Sequence, residues 1–220
     1  LFDETASDYD RINAVFSFGT GRRYRRQSLL RAGLRPGDWV LDVATGTGLV
    51  AVEARQLVGS TGLVAALDVS WGMLQQARAA PGLRLVQGSA DALPFAAESF
   101  DVLTMGYALR HVAALGSACA EFYRVLRPGG QAVLLEVGRP DGRLARHAAR
   151  LYLGHLVPLF SRLVGSTRQA GLLMHYYWET IESCVQPETI LAALRDAGFA
   201  DAACGTEFGV LRTYTARRPP

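Results

Sequence analysis

Apolar residues along this chain follow two alternating patterns. Short, nearly continuous runs at 38–43, 62–68, 83–87, 100–105 and 131–137 are flanked by Gly, Pro or polar residues and read as strands buried on both faces. Between them, the stretches at about 48–57, 71–79 and 114–126 carry apolar side chains at three- and four-residue spacing, the period of a helix packed on one face. This alternation predicts an α/β fold in which parallel strands are joined by helical crossovers into a doubly wound sheet. A helix at 188–197 and two strands, at about 200–206 and 209–216, complete a mostly parallel, seven-stranded sheet. Gly37-Asp38 and Pro128-Gly129-Gly130 are turn signals placed just ahead of strands.

Two segments depart from the alternation. Residues 3–33 read as helical with a break near Ser17–Gly21, and residues 141–183 as one or two helices rich in aromatic side chains. The whole chain, 1–220, is expected to form one domain. The N-terminal helices (1–35) and the insertion (141–185) would act as a helical lid over the carboxyl edge of the sheet, where ligands bind in such folds.

Composition narrows the classes without choosing one. Half the residues are apolar and 20% are charged, ordinary for a globular domain. A net charge of +3 gives no basis for a nucleic-acid partner. All 23 basic residues are arginine, which excludes Schiff-base chemistry on a lysine. Cys119, Cys184 and Cys204 are odd in number and widely spaced; they suggest neither a disulfide framework nor a zinc site, and a reducing, cytoplasmic setting is the plain expectation. No secretory leader is visible, and the most apolar later stretch, Leu151–Gly165, is broken by His155, Pro158 and Arg162. Arg22, Arg23, Arg25 and Arg26 form a basic run, and Arg143, Arg146 and Arg150 share a helical face. These read either as solvated surfaces or as a weak peripheral contact with anionic lipid.

The candidate chemistry centres on residues 41–48, Leu-Asp-Val-Ala-Thr-Gly-Thr-Gly. A strand enters a glycine-rich turn and leaves as a helix, a geometry that offers backbone N–H groups to a ligand. Asp68, twenty residues beyond Gly48 and at the end of the next apolar run, is placed to accept hydrogen bonds from both ribose hydroxyls. Gly46-x-Gly48-x-x-Ala51 also fits a dinucleotide fingerprint. Asp42 tilts the choice: a carboxylate there repels a pyrophosphate and attracts an ammonium, which favours S-adenosylmethionine (SAM) over NAD.

Further along stand Gly-Ser-Ala-Asp-Ala-Leu-Pro-Phe (88–95), Ser-Phe-Asp-Val-Leu-Thr-Met (99–105) and Phe-Tyr-Arg-Val-Leu-Arg-Pro-Gly-Gly (122–130). In these residues the chain resembles class I SAM-dependent methyltransferases. The motifs Tyr9-Asp10-Arg11-Ile12-Asn13, Ser17-Phe18-Gly19, Tyr107-Ala108-Leu109-Arg110-His111-Val112 and Leu135-Glu136-Val137 make it similar, more narrowly, to the ubiquinone/menaquinone biosynthesis C-methyltransferase family. The resemblance is strong over about residues 1–140 and looser beyond.

The resemblance implies that Asp42, Ala44, Gly46 and Gly48 line the methionine part of SAM, Asp68 holds the ribose, and Met73, Ser89 and Ala90 meet the adenine, with Met105 also at the cofactor and Tyr9 covering the sulfonium. Asp91 beside them is a carboxylate or a helix cap. Arg110 would polarise an acceptor oxygen, and His111, where the family usually has Asn, would accept a phenolic proton; His175 is the other candidate base. His147 and His155 read as surface or core residues. Tyr107, Tyr176, Tyr177 and Trp178 would stack on an aromatic or quinol acceptor. Ser89 replaces the family's Asp or Asn, Tyr176-Tyr177-Trp178-Glu179 its Tyr-x-Tyr-Leu, and Arg212-Thr213-Tyr214 its His-x-Gly. The expected reaction is ring C-methylation of a hydroquinone, with no metal required. Methylation of another aromatic or polyketide at C, O or N, a non-catalytic SAM-binding role, and a homodimer remain open alternatives.

Overall fold

The computed structural model describes residues 20–140, 142, 147, 151 and 184–220. The described chain runs α1 (Gly21–Arg31), β1 (Trp39–Val43), α2 (Leu49–Val58), β2 (Leu63–Asp68), α3 (Trp71–Ala77), β3 (Leu83–Gln87), β4 (Phe100–Gly106), a 3₁₀ turn (Leu109–His111), α4 (Leu115–Val125), β5 (Leu126–Val137), α5 (Pro187–Asp196), β6 (Ala200–Glu207) and β7 (Leu211–Arg217). The strands form one sheet in the order β3-β2-β1-β4-β5-β7-β6. Strands β1 to β5 pair in parallel, and β7 runs antiparallel between β5 and β6. The expected α/β sheet is therefore present. Tyr9, His155, His175, Tyr176, Tyr177, Trp178, the arginines at 143, 146 and 150, residues 1–19 of the expected lid and most of its insertion lie outside the described residues.

Period-two alternation sends each strand's side chains to two cores. Leu41, Val43, Leu103 and Met105 pack with Phe122 of α4 and Ile190 and Leu194 of α5. Val40, Val64, Val102 and Val133 pack on the other face with Leu29 of α1 and Val50, Ala54 and Val58 of α2. Helices cover both faces, so the central strands need no polar side. The turn signal at Pro128–Gly130 is absorbed into β5 rather than preceding it: the register with β4 shifts between Phe100 and Val102, and Gly129 takes φ +77°.

The chain leaves β1 toward β2 and β3, then returns to β4 on β1's other side. The carboxyl ends of β1 and β4 thus diverge into crossovers on opposite sides, and a crevice opens at this switch point.

Candidate active site

The loop after β1 is held in shape by hydrogen bonds and by left-handed backbone. Ala44, Gly46 and Gly48 have φ of +53°, +57° and +88°. The Thr45 amide donates to the Leu67 carbonyl at 2.9 Å and the Gly46 amide to Asp68 Oδ2 at 2.7 Å, which ties the loop to the end of β2. Gly48 caps α2, and a Cβ there would stand 3.3 Å from that of Ala77, so both its conformation and its neighbour in α3 call for glycine.

Asp42 is fully buried. Its oxygens accept from the hydroxyls of Thr45 and Thr104, each at 2.6 Å. Thr104 is Asp42's register partner on β4, so the pair shares one sheet face. Burial pushes the Asp42 carboxyl up to about 6, against the pull of both hydroxyls. It is therefore ionised at neutral pH, and the Ala51 amide at the start of α2 adds a third bond to it.

A cavity opens beside Asp42. Ala44, Thr45, Gly46 and Thr47 form its floor, Leu49 and Val50 of α2 one wall, and Gly106 and Tyr107 another, and Arg25 reaches in from α1. A Cβ on Gly106 would come within 2.6 Å of Val50 Cγ2, so glycine keeps this wall open. Tyr107, expected at the acceptor, borders this same cavity; it holds φ +60° while its amide donates to the Leu135 carbonyl at 2.6 Å. Left-handed backbone at a bulky residue is strain of the kind retained at functional sites.

Asp68 is nearly buried at the end of β2 and accepts from the amides of Gly46 and Ser70, the latter at 2.9 Å. Ser70 caps α3 through the Met73 amide at 3.1 Å, which places Met73, itself buried, one turn from Asp68. The Gly88 amide donates to the Asp68 carbonyl at 3.1 Å, bringing half-buried Ser89 and Ala90 alongside. Asp91 accepts from the Ser89 hydroxyl and is not a helix cap, because turns and bends rather than a helix follow it. Val69 and Trp71 are exposed beside Asp68, at 64% and 54%.

The geometry bears on three of the expected site residues. Met105 does not border the cavity: alternation along β4 turns it into the opposite core with Phe122, while Gly106 lines the cavity and Thr104 bonds Asp42. Arg110 does not present a free charge to an acceptor, because its guanidinium forms a buried ion pair with Glu136, whose carboxylate also receives the Arg110 and Val137 amides. Burial, the larger influence, raises the Glu136 carboxyl, while Arg110 lowers it. His111 is the exposed residue of the 3₁₀ turn, where partial desolvation and the Arg110 charge hold its imidazole at about 4. It is neutral at physiological pH but a weak base. His147 is exposed.

The basic run divides its labour. Arg22 donates to Glu53 Oε1 at 2.7 Å and Arg26 approaches Glu53 Oε2 at 3.7 Å, so two of the four arginines serve to join α1 to α2. Sequence reasoning missed Thr45, Thr104 and the cavity side of Arg25. A signal for Thr104 existed, a lone hydroxyl in an apolar strand, but its meaning depends on the register with Asp42.

The family model described as ubiE/COQ5 methyltransferase matches residues 1–216. The chain is 34% identical over 206 residues to a ubiquinone/menaquinone biosynthesis C-methyltransferase, UbiE, of Pseudoalteromonas translucida, covering 90% of this chain and 81% of that protein. It is 36% identical over 211 residues to a demethylmenaquinone methyltransferase of Symbiobacterium thermophilum, covering 91% and 84%. Among solved structures, a SAM-dependent methyltransferase of Aquifex aeolicus aligns with a TM-score of 0.65 at 16% identity, over 94% of this chain and 98% of that one, a likeness of fold.

Proposed function

The chain belongs to the ubiE/COQ5 methyltransferase family and is a SAM-dependent methyltransferase, and from that premise we propose that it methylates a ring carbon of a hydroquinone of the ubiquinone or menaquinone type. The observation that carries the cofactor side is the pairing of charges across one cavity, Asp42 on the sheet and Arg25 on α1, next to a loop whose Gly46 is hydrogen-bonded to Asp68. An α-amino-acid head group needs a carboxylate for its ammonium and a cation for its carboxylate; a ribose needs an acceptor for its hydroxyls. The residues fit SAM on all three counts. The names of the two relatives support the acceptor class.

SAM bound here supplies a sulfonium methyl for in-line displacement. The chain's own part is position and environment. Asp42, Ala44, Gly46 and Gly48 receive the methionyl portion, Asp68 the ribose, and Met73, Ser89 and Ala90 the adenine. Tyr107, on strained backbone at the cavity, would orient the acceptor, a role that the family resemblance also gives Tyr176, Tyr177 and Trp178, as it gives Tyr9 that of covering the cationic sulfur. Alignment of this kind contributes roughly 7–11 kcal/mol in well-oriented systems. Arg110 acts as a positioning residue, clamping the turn that carries His111. The low basicity of His111 leaves His175 as the side chain we assign to the phenolic proton. No described helix is long and apolar enough to cross a membrane; a reducing, cytoplasmic setting accords with three free cysteines.

The test is turnover. Purified protein with SAM and a reduced naphthohydroquinone bearing one free ring position should yield a product heavier by one methylene, with that ring proton gone. Methyl on oxygen, or no transfer to any quinol, would overturn the acceptor assignment.

A further inference from the structure

Antiparallel β7 brings the β6–β7 turn to the carboxyl end of β5: Val137 pairs with Leu211, and the Gly138 amide donates to the Val210 carbonyl at 2.7 Å. The tip of this hairpin therefore stands on the edge of the sheet that carries Gly106, Tyr107 and the cavity, two strand spacings, roughly 10 Å, from β4. Phe208 occupies the tip. It is 87% exposed, the most of any large apolar side chain among the described residues, and it holds φ +52°. Left-handed backbone suits Asn or Gly at such a turn and penalises a bulky ring. The ring costs conformational energy and hydration together, and an apolar surface outside the fold would lift the second cost. Its surroundings are basic. Glu207, the acidic residue next to it, is paired with Arg31. Arg139 is exposed just beyond Gly138, and Arg23 is exposed two residues before Arg25, which reaches the cavity.

An exposed ring with cations around it, on the edge that opens the cavity, matches a bilayer with anionic headgroups. We propose that the β6–β7 tip docks this edge of the sheet on an anionic lipid surface, with Phe208 entering the acyl boundary and Arg139 and Arg23 meeting lipid phosphates. Charge favours lipid over a second copy of the chain, because two such faces would bring arginines together. The choice also rests on the quinol reading above: a hydroquinone with a long apolar chain is dissolved in lipid and reaches the cavity from that side. One ring and a few charges give a reversible contact rather than a fixed anchor.

Flotation with phosphatidylcholine vesicles, with and without phosphatidylglycerol, tests the surface apart from turnover. Wild-type protein should float with the mixed vesicles and come off at high salt. Phe208→Asn suits the left-handed turn, so it should melt no lower than wild type, yet bind the mixed vesicles at least about tenfold less. Arg139→Gln should lose about fivefold on the mixed vesicles and nothing on the neutral ones. Methylation of a short-chain, water-soluble quinol should be unchanged in Phe208→Asn, while that of a long-chain quinol held in the mixed vesicles falls. Wild-type protein that floats with neither vesicle, or Phe208→Asn that floats as wild type does, would overturn the docking surface and leave the quinol reading standing. A lipid-free dimer lost in Phe208→Asn would assign the tip to a second copy and overturn the proposal too. Flotation that depends on Phe208, with no transfer to any quinol, would uphold the surface and overturn the quinol reading.

Discussion

At the scale of single residues, Asp42 shows how a binding site spends stability. Its carboxyl lies at about 6 in the fold against an ordinary 3.8, so the native state binds more protons than the unfolded chain between those values. Stability therefore falls as pH rises through that window, and the ionised form costs up to about 3 kcal/mol above it. Asp42→Asn should be more stable than wild type at pH 8, with the gap closing toward pH 4, while its SAM affinity drops. Urea unfolding across that range checks it; a gap independent of pH would contradict the assignment. His111 makes a second prediction. An imidazole at about 4 would take a proton from a phenol near 10 at a cost of about 8 kcal/mol. His111→Asn should thus lower kcat/KM by less than about tenfold and leave the profile unchanged between roughly pH 6 and 9, whereas loss of a general base typically costs about 10²–10⁴-fold. A loss of that size, with a changed profile, would restore His111 as the base.

Among the elements, the junction of β5 with the 3₁₀ turn depends on the Arg110–Glu136 pair, whose side chains are 5% and 0% exposed. Removing one partner strands a buried charge. Glu136→Gln should lose about 3–5 kcal/mol, and the double variant Arg110→Met/Glu136→Leu should recover a large part of it. Equal destabilisation by both variants in denaturant titrations would show that packing, not charge, holds the turn. The same region shows where the sequence stopped being legible. Strand β4 was readable as a strand from its apolar run, but a continuous apolar run hides which residues face which side. The run gives no sign that Thr104 is the register partner and hydrogen-bond donor of Asp42, or that Met105 packs in the opposite core. Arg110 likewise read as a reagent because its partner is 26 residues away. The glycine turn and Asp68 were legible because local backbone geometry and a fixed offset define them.

For the molecule as a whole, strand order turns these separate pieces into a site. Order β3-β2-β1-β4-β5 places the ends of β1, β2 and β4 along one edge, so Asp42, Asp68 and Gly106 meet there although they are distant in sequence. The α/β alternation fixed the layers of this arrangement in advance, and the antiparallel β7 closes it. Arg25 escaped sequence reading for a tertiary reason: four arginines in one helical turn and a half look alike until the packing of α1 on α2 and β7 assigns each its direction.

The most direct measurement is a calorimetric titration of the wild-type protein with S-adenosylhomocysteine and with NAD, repeated on Asp68→Ala. The site described here should bind the first compound and not NAD, and the variant should lose at least about 10- to 100-fold in affinity with the charge-assisted ribose contacts. Binding of NAD instead, or an Asp68→Ala variant that binds S-adenosylhomocysteine as well as wild type does, would contradict the assignment of this edge of the sheet to SAM.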